Sequence, residues 1–192
     1  MRGHLPAGLL TCVIALTALS GCSQPRVDEP ADPAGSSAES SPSPAPTYSG
    51  PLPAGVPGFD YSDPDRVCHA FTVAMLSSDA TTDASPLDAH GRASAFMTAP
   101  APTTDPGLGD ARWTDWVAHR AKIAVELTDY VGEELEPDQP ALVSRAVIAT
   151  TTPQGSDGWR GPAERETVYC TLERIGTAWR VSSYDADYFG PV

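Results

Sequence analysis

The chain has 192 residues and carries 25 Asp and Glu against 12 Lys and Arg, a formal net charge of −13. That surplus excludes nucleic acid as a partner and an electrostatic grip on anionic lipid heads, and reads as solubility on the outside of a cell. At the N-terminus one positive charge, Arg2, precedes an uncharged run over 5–19, with small Ser20 and Gly21 after it. Charged, apolar and then small is the order of an export signal. The run falls short of the roughly 20 residues that a membrane-spanning helix needs.

Leu19-Ser20-Gly21-Cys22 resembles the lipobox of bacterial lipoproteins. The resemblance implies that 1–21 is a signal peptide, cut before Cys22, and that Cys22 becomes the lipidated N-terminus. It places the protein on the extracytoplasmic face of the cell membrane, anchored by lipid and not spanning. An ordinary secretory signal would want a small residue where Leu19 stands. One acyl chain anchors marginally and two hold stably, at ~0.8 kcal/mol per buried methylene. Lys122 is the sole lysine and asparagine is absent, a bias that points to a high-GC genome such as an actinobacterium's.

Of the four cysteines, Cys12 leaves with the signal and Cys22 takes lipid, so Cys68 and Cys170 remain as an even pair. In an oxidising compartment a disulfide between them is the natural inference. A metal pair or a catalytic thiol has less support, because neither cysteine lies in a Cys-x-x-Cys pair and only His69 is adjacent.

Residues 23–58 show no hydrophobic period and are built from Pro, Ser, Ala, Gly and Glu, with Ser40-Ser41-Pro42-Ser43-Pro44-Ala45-Pro46 at their middle. Such a composition cannot bury enough apolar surface to offset the entropy of ordering, so 22–58 reads as the lipidated cysteine and a solvated tether. Polyproline II advances ~3.1 Å per residue, which gives the tether a reach approaching ~100 Å.

Residues 59–192 suffice for a single core. Asp63-Pro64 opens a first helix as N-cap and first helical residue, and Val67, Ala70, Phe71, Ala74 and Met75 follow at the spacing of a buried stripe. Ser85-Pro86-Leu87-Asp88 resembles a second helix start, with Ala89, Ala93, Phe96 and Met97 as its apolar side and Pro100 and Pro102 as its stop. Asp110 is the expected cap of a third helix carrying Trp113, Trp116 and Val117 towards His119 and Arg120. The period then changes to two. Ile123, Val125 and Leu127 mark one strand, 142–151 a second, Val168, Cys170 and Leu172 a third, and 178–184 a fourth. A four-residue loop over 174–177 would set Leu172 opposite Trp179 and Cys170 opposite Val181 on one face, and a three-residue loop would turn Trp179 to the polar face.

Helices followed by about four antiparallel strands make an α+β domain with the helices on one face of the sheet. This order resembles the nuclear transport factor 2-like (cystatin-like) superfamily, in which a curved sheet wraps the first helix as a cone. It is similar, more narrowly, to exported actinobacterial members associated with lipid import or with conjugation and type IV secretion assembly. The resemblance implies an interaction or assembly role in an envelope protein complex, or a small apolar ligand held in the cone; an isomerase- or dehydratase-like enzyme is the third reading.

For an enzyme the best candidate is Asp129, on the same strand face as Ile123, Val125 and Leu127, with Tyr130, His69, His119 and Asp185 as candidate neighbours. The plainer reading sets Asp129 in solvent at a strand end. His69, His90 and His119 fall on three different helices without paired spacing, so no metal site and no cofactor is expected. No Gly-x-Ser-x-Gly and no phosphate-binding glycine loop occurs. Trp113 and Trp116 either line a pocket with Asp129 and Tyr130 or simply pack a helix on the sheet. Trp159 and Arg160 sit among turn residues, and the tryptophan is either folded back or presented to a partner. The sequence therefore reads as a lipid-anchored envelope interaction module without catalysis. Fatty-acid labelling of cells is expected to tag the wild-type chain and leave Cys22→Ala unlabelled and released from membranes; equal labelling of both would refute the anchor.

Overall fold

The computed structural model describes residues 50–101 and 111–192. Cys22, the tether up to 49, Pro102 and Asp110 lie outside the described residues. Helix α1, Pro64–Leu76, begins as its sequence dictates: the Asp63 carboxylate accepts from the backbone N–H of Asp65 at 3.0 Å and of Arg66 at 3.4 Å, with Pro64 in the first turn. Its inward stripe is Val67, Cys68, Phe71 and Met75, all buried. Thr72 is buried among them, and its hydroxyl donates to the Cys68 carbonyl at 2.9 Å, which satisfies it inside the core.

Helix α2, Leu87–Ala93, runs on into a 3-10 turn at Ser94–Phe96. Ser85 does not cap it; instead the Asp88 carboxylate reaches back to the N–H of Ala84 at 2.5 Å. Ala89, Ala93, Phe96 and Met97 are buried, the side the sequence marked. Helix α3, Ala111–His119, closes with the Ala121 N–H on the Trp116 carbonyl and the Arg120 N–H on that of Val117. This is the paired stop that normally uses glycine, and here Arg120 takes the left-handed conformation, φ 49°.

Four strands follow: β1 Lys122–Asp129, β2 Leu142–Gln154, β3 Glu164–Ile175 and β4 Ala178–Pro191, in the antiparallel order β1-β2-β3-β4. The fold is α+β. On the inward face Val143, Val147 and Ala149 of β2 sit opposite Leu172, Val168 and Glu166 of β3. Strands β2 and β4 run past the expected ends at 151 and 184, because ladder pairing continues through Pro153 and through 185–191, where the regular apolar alternation lapses.

The β3–β4 hairpin corrects the expected register. Ile175 pairs with Ala178, so the loop is the two residues Gly176 and Thr177 and not 174–177, and Trp179 lies opposite Arg174 and Val181 opposite Leu172. Loops of two and four residues place Trp179 on the same face, so hydrophobic pattern sets the parity while turn geometry sets the length. Gly176 at φ +65° opens the two-residue turn that matches strand twist. A bulge at Ser182 then shifts parity, so that Cys170 faces Tyr184, and the Tyr184 ring meets Phe71 at 5.0 Å.

Cys68 and Cys170 form a disulfide with Cα atoms 6.0 Å apart, across a sequence separation of 102. Strand edges are covered where β4 and β1 begin. Trp179 N–H donates to the Tyr61 carbonyl at 2.7 Å and Thr98 N–H to that of Val181 at 2.9 Å, while Ile123 N–H donates to Ser78 at 2.9 Å. The Tyr61 hydroxyl donates to Ala95 and accepts from the N–H of Val56, so the contacts of the folded part reach into the last residues of 22–58. Among the described residues no helix is long and apolar enough to cross a membrane.

Replacing Cys68 and Cys170 together by alanine is expected to destabilise the domain by ~2–5 kcal/mol and to lower Tm by several degrees. A non-reduced digest should give one linked peptide pair. An unchanged melting curve would show that packing alone holds α1 to β3.

Candidate functional site

Under α1 the space is filled, because Val67, Phe71, Val168, Leu172 and Val181 are fully buried. At the other end of the inward face the filling stops. There α3 stands over the start of β1, the end of β2, the start of β3 and the end of β4, enclosing a cleft of about 350 Å³. Its walls hold three of the chain's four tryptophans, Trp113, Trp116 and Trp159, with Met75, Ile123 and Pro153 between them and Glu164, Glu166 and Tyr188 across the floor.

The local sequence explains each wall. Trp113 and Trp116 are three residues apart on α3 and so share a face; their rings are 6.0 Å apart and inclined at 71°. Trp159 is set by the β2–β3 connection, where Asp157 accepts from the Trp159 N–H at 3.0 Å, Gly155 N–H donates to the Trp159 carbonyl at 2.8 Å, and Gly158 turns the chain at φ +89°. The ring stacks flat on His119, 4.3 Å between centroids and 2° between planes. His119 Nδ1 lies 2.8 Å from Asp157 Oδ2, and Ser156 N–H donates to the His119 carbonyl, which fastens the loop to the end of α3. That contact with His119, reinforced by the Trp159 N–H, holds the Asp157 carboxyl below its usual range.

The two floor glutamates differ. Glu164 is engaged by Arg112 Nη1 at 3.0 Å. Glu166 makes no hydrogen bond or ion pair among the described residues and is half-buried between Ala149 and Tyr188, on the same side as buried Val168. Burial pushes its carboxyl above the ordinary range, Glu164 adds to this, and Arg112 opposes it.

The residues singled out from sequence divide. Trp113 and Trp116 line the cleft. Asp129 shares the inward side of β1 but is exposed at the strand end opposite Val147, away from the cleft. Tyr130 turns to the opposite face of the sheet, against Tyr169 at 5.6 Å, whose hydroxyl is pushed up to about 12 chiefly by its hydrogen bond to Tyr130. Asp185 pairs with Tyr169 on that opposite face, and His119 is engaged with Asp157, so no group forms around Asp129. Trp159 is folded back and half-buried, while Arg160 is exposed. The residue missed was Glu166, and its signal was available: the alternation Leu172, Cys170, Val168 continued one step reaches a carboxylate on the inward face. Among the described residues no cluster of His, Cys, Asp or Glu is placed to hold a metal.

No protein-family profile matches this chain, and no curated protein resembles it in sequence.

The pH dependence of Glu166 has a definite sign. With its folded pKa above its unfolded one, ionising the carboxyl disfavours the native state, so the penalty is full above the folded value and vanishes below the unfolded one. Glu166→Gln is therefore expected to be more stable than wild type at pH 7, with the advantage shrinking as pH falls through the carboxylate range. Urea melts at pH 7 and pH 4 measure this; a variant less stable at both would mean that Glu166 has a stabilising partner.

Proposed function

We propose that this protein is a lipid-anchored module on the extracytoplasmic face of the cell membrane, acting by binding and without catalysis, and that its working surface is the cleft under α3. The observation that carries this is the gathering of Trp113, Trp116 and Trp159 around an open volume beside a closed core. Tryptophan is the most costly residue to leave partly unpacked, and a concave apolar site with a few convergent polar groups is the form small-ligand sites take. About 350 Å³ lies at the lower end of the size range of such sites.

The lipobox supplies the anchor and the proline-rich tether the reach, so the cleft would work at a distance from the lipid heads, alone or within an envelope complex. The element order, α1 laid on an antiparallel meander, supports a cystatin-like cone of the nuclear transport factor 2-like type. Phe71 and its neighbours fill the space between α1 and the sheet, so on this reading the ligand site lies at the rim.

A second reading, an isomerase- or dehydratase-like enzyme, has Glu166 in its favour, since a desolvated carboxylate beside Tyr188 is what a general base requires. Binding is favoured over it because Glu166 has no orienting hydrogen bond among the described residues, and proton transfer needs a held geometry.

Titration of the full-length protein with fractionated envelope extract, followed by tryptophan emission, is expected to give a saturable change. Trp113→Ala and Trp116→Ala should each weaken it at least tenfold, about 1.4 kcal/mol, while leaving the fold intact. A flat signal with every fraction overturns the proposal.

A further inference from the structure

We infer that the cleft takes an organic cation carrying an apolar body, with the charged head among Trp113, Trp116 and Trp159 and its charge answered by Glu166. This rests on the reading of the cleft as the working site and specifies its ligand.

The walls set the first requirement. Trp113 and Trp116 meet at 71°, so they present two surfaces to one volume, and Trp159 contributes a third side. Aromatic faces carry negative quadrupole charge and attract a cation seated within about 6 Å, most strongly where water is excluded. Such walls offer few hydrogen-bond acceptors, so they suit a head that donates none, an alkylated or quaternary ammonium, over a strongly hydrated primary amine. Among the described residues no cluster of His, Cys, Asp or Glu is placed to give a metal ion the several ligands it needs.

The floor sets the second. Arg112 is paired with Glu164 and acts on Glu166 only through space, so that Glu166, half-buried, has no hydrogen bond or ion pair among the described residues. A neutral apolar ligand would cover Glu166 and leave it unpaired, which disfavours binding. An anion would meet it as a like charge. A cation both fills the cleft and supplies the ion pair that Glu166 lacks among the described residues. The cleft volume of about 350 Å³ exceeds a trimethylammonium head, so an apolar body fits beside it.

The same head can arrive on a free small molecule or on a lipid, and the test separates these sources. Full-length protein is titrated with choline, with its neutral carbon analogue 3,3-dimethylbutan-1-ol, with a short-chain phosphocholine lipid below its micelle concentration, and with glucose, each followed by tryptophan emission. Choline or the phosphocholine lipid is expected to bind at least tenfold more tightly than the neutral analogue, and Glu166→Gln to abolish most of that difference while its melting curve shows an intact fold. Tighter binding of the lipid than of choline assigns the head to a lipid, and equal binding assigns it to a free molecule; both support the inference. Equal affinity for the cation and the neutral analogue, or binding of glucose alone, overturns the inference and leaves the cleft as a binding site. Failure of every probe overturns the inference, and failure of every probe with the wild-type protein also silent towards envelope fractions overturns both.

Discussion

The apposition of α1 to the middle of the sheet is the constraint on which the other features depend. Val67 and Phe71 have no exposed surface, and neither do Val147, Val168, Leu172 and Val181 beneath them, so α1 cannot shift without opening cavities in a close-packed layer. The Cys68–Cys170 bridge ties the same helix to the same strand across a separation of 102 residues, which restricts the unfolded chain more than the native one. With α1 held, segments on either side of it fall into place as edge covers. Tyr61 and Thr98 seal the start of β4, and Ser78 with Asp79 seals the start of β1, where the Lys122 ammonium at 2.8 Å draws the Asp79 carboxyl down to about 2.

The cleft exists because α1 is shorter than the face it covers. Its stripe ends at Met75 and Leu76, while β2, β3 and β4 continue for several residues beyond. A second amphipathic element has to cover the remainder, and α3 does so with two indoles. These are too large and flat to interdigitate as leucines would, and so a volume remains between them and the strands. Glu166 occupies the point where the inward alternation passes out from under α1. An apolar residue there would have extended the core; a half-buried carboxylate with no hydrogen bond or ion pair among the described residues works against stability. Local departures from the rules of packing collect at functional sites, and this one adjoins three tryptophans.

The loop that supplies Trp159 shows how such a site is held. Three short-range devices, the Asp157 turn, the Gly158 reversal and the His119 contact, bring one large ring flat against the end of α3. The elements that would have to move to admit a ligand are thus α3 and this loop, both outside the α1–sheet core. Under the proposed function, recognition and stability are divided between two ends of one sheet face, so a change in one end need not unfold the other.

Much of this was determined along the chain. The Asp63-Pro64 cap, the stripe from Val67 to Met75 and the switch from a period near 3.6 to a period of two are local patterns at which propensity and packing pull in the same direction, and the cysteine pair, 102 residues apart, was legible by count. The face assignment of Trp179 was also legible, since an apolar alternation reports parity. Loop length and register were not, because shifts of two residues preserve parity and only the Gly176 turn and the Ser182 bulge choose between them. The site was half legible. Trp113 and Trp116 announce a shared face by their spacing, but whether that face meets a filled core or an open volume depends on where α1 ends in space. Trp159, Glu166 and Tyr188 reach the same cleft from a loop and two strands, and Asp129 and Tyr130, adjacent in sequence, go to a strand end and to opposite sides of the sheet. Proximity among residues so far apart in the chain is created by strand pairing and helix placement. Those are properties of the assembled fold, and no single stretch of sequence encodes them.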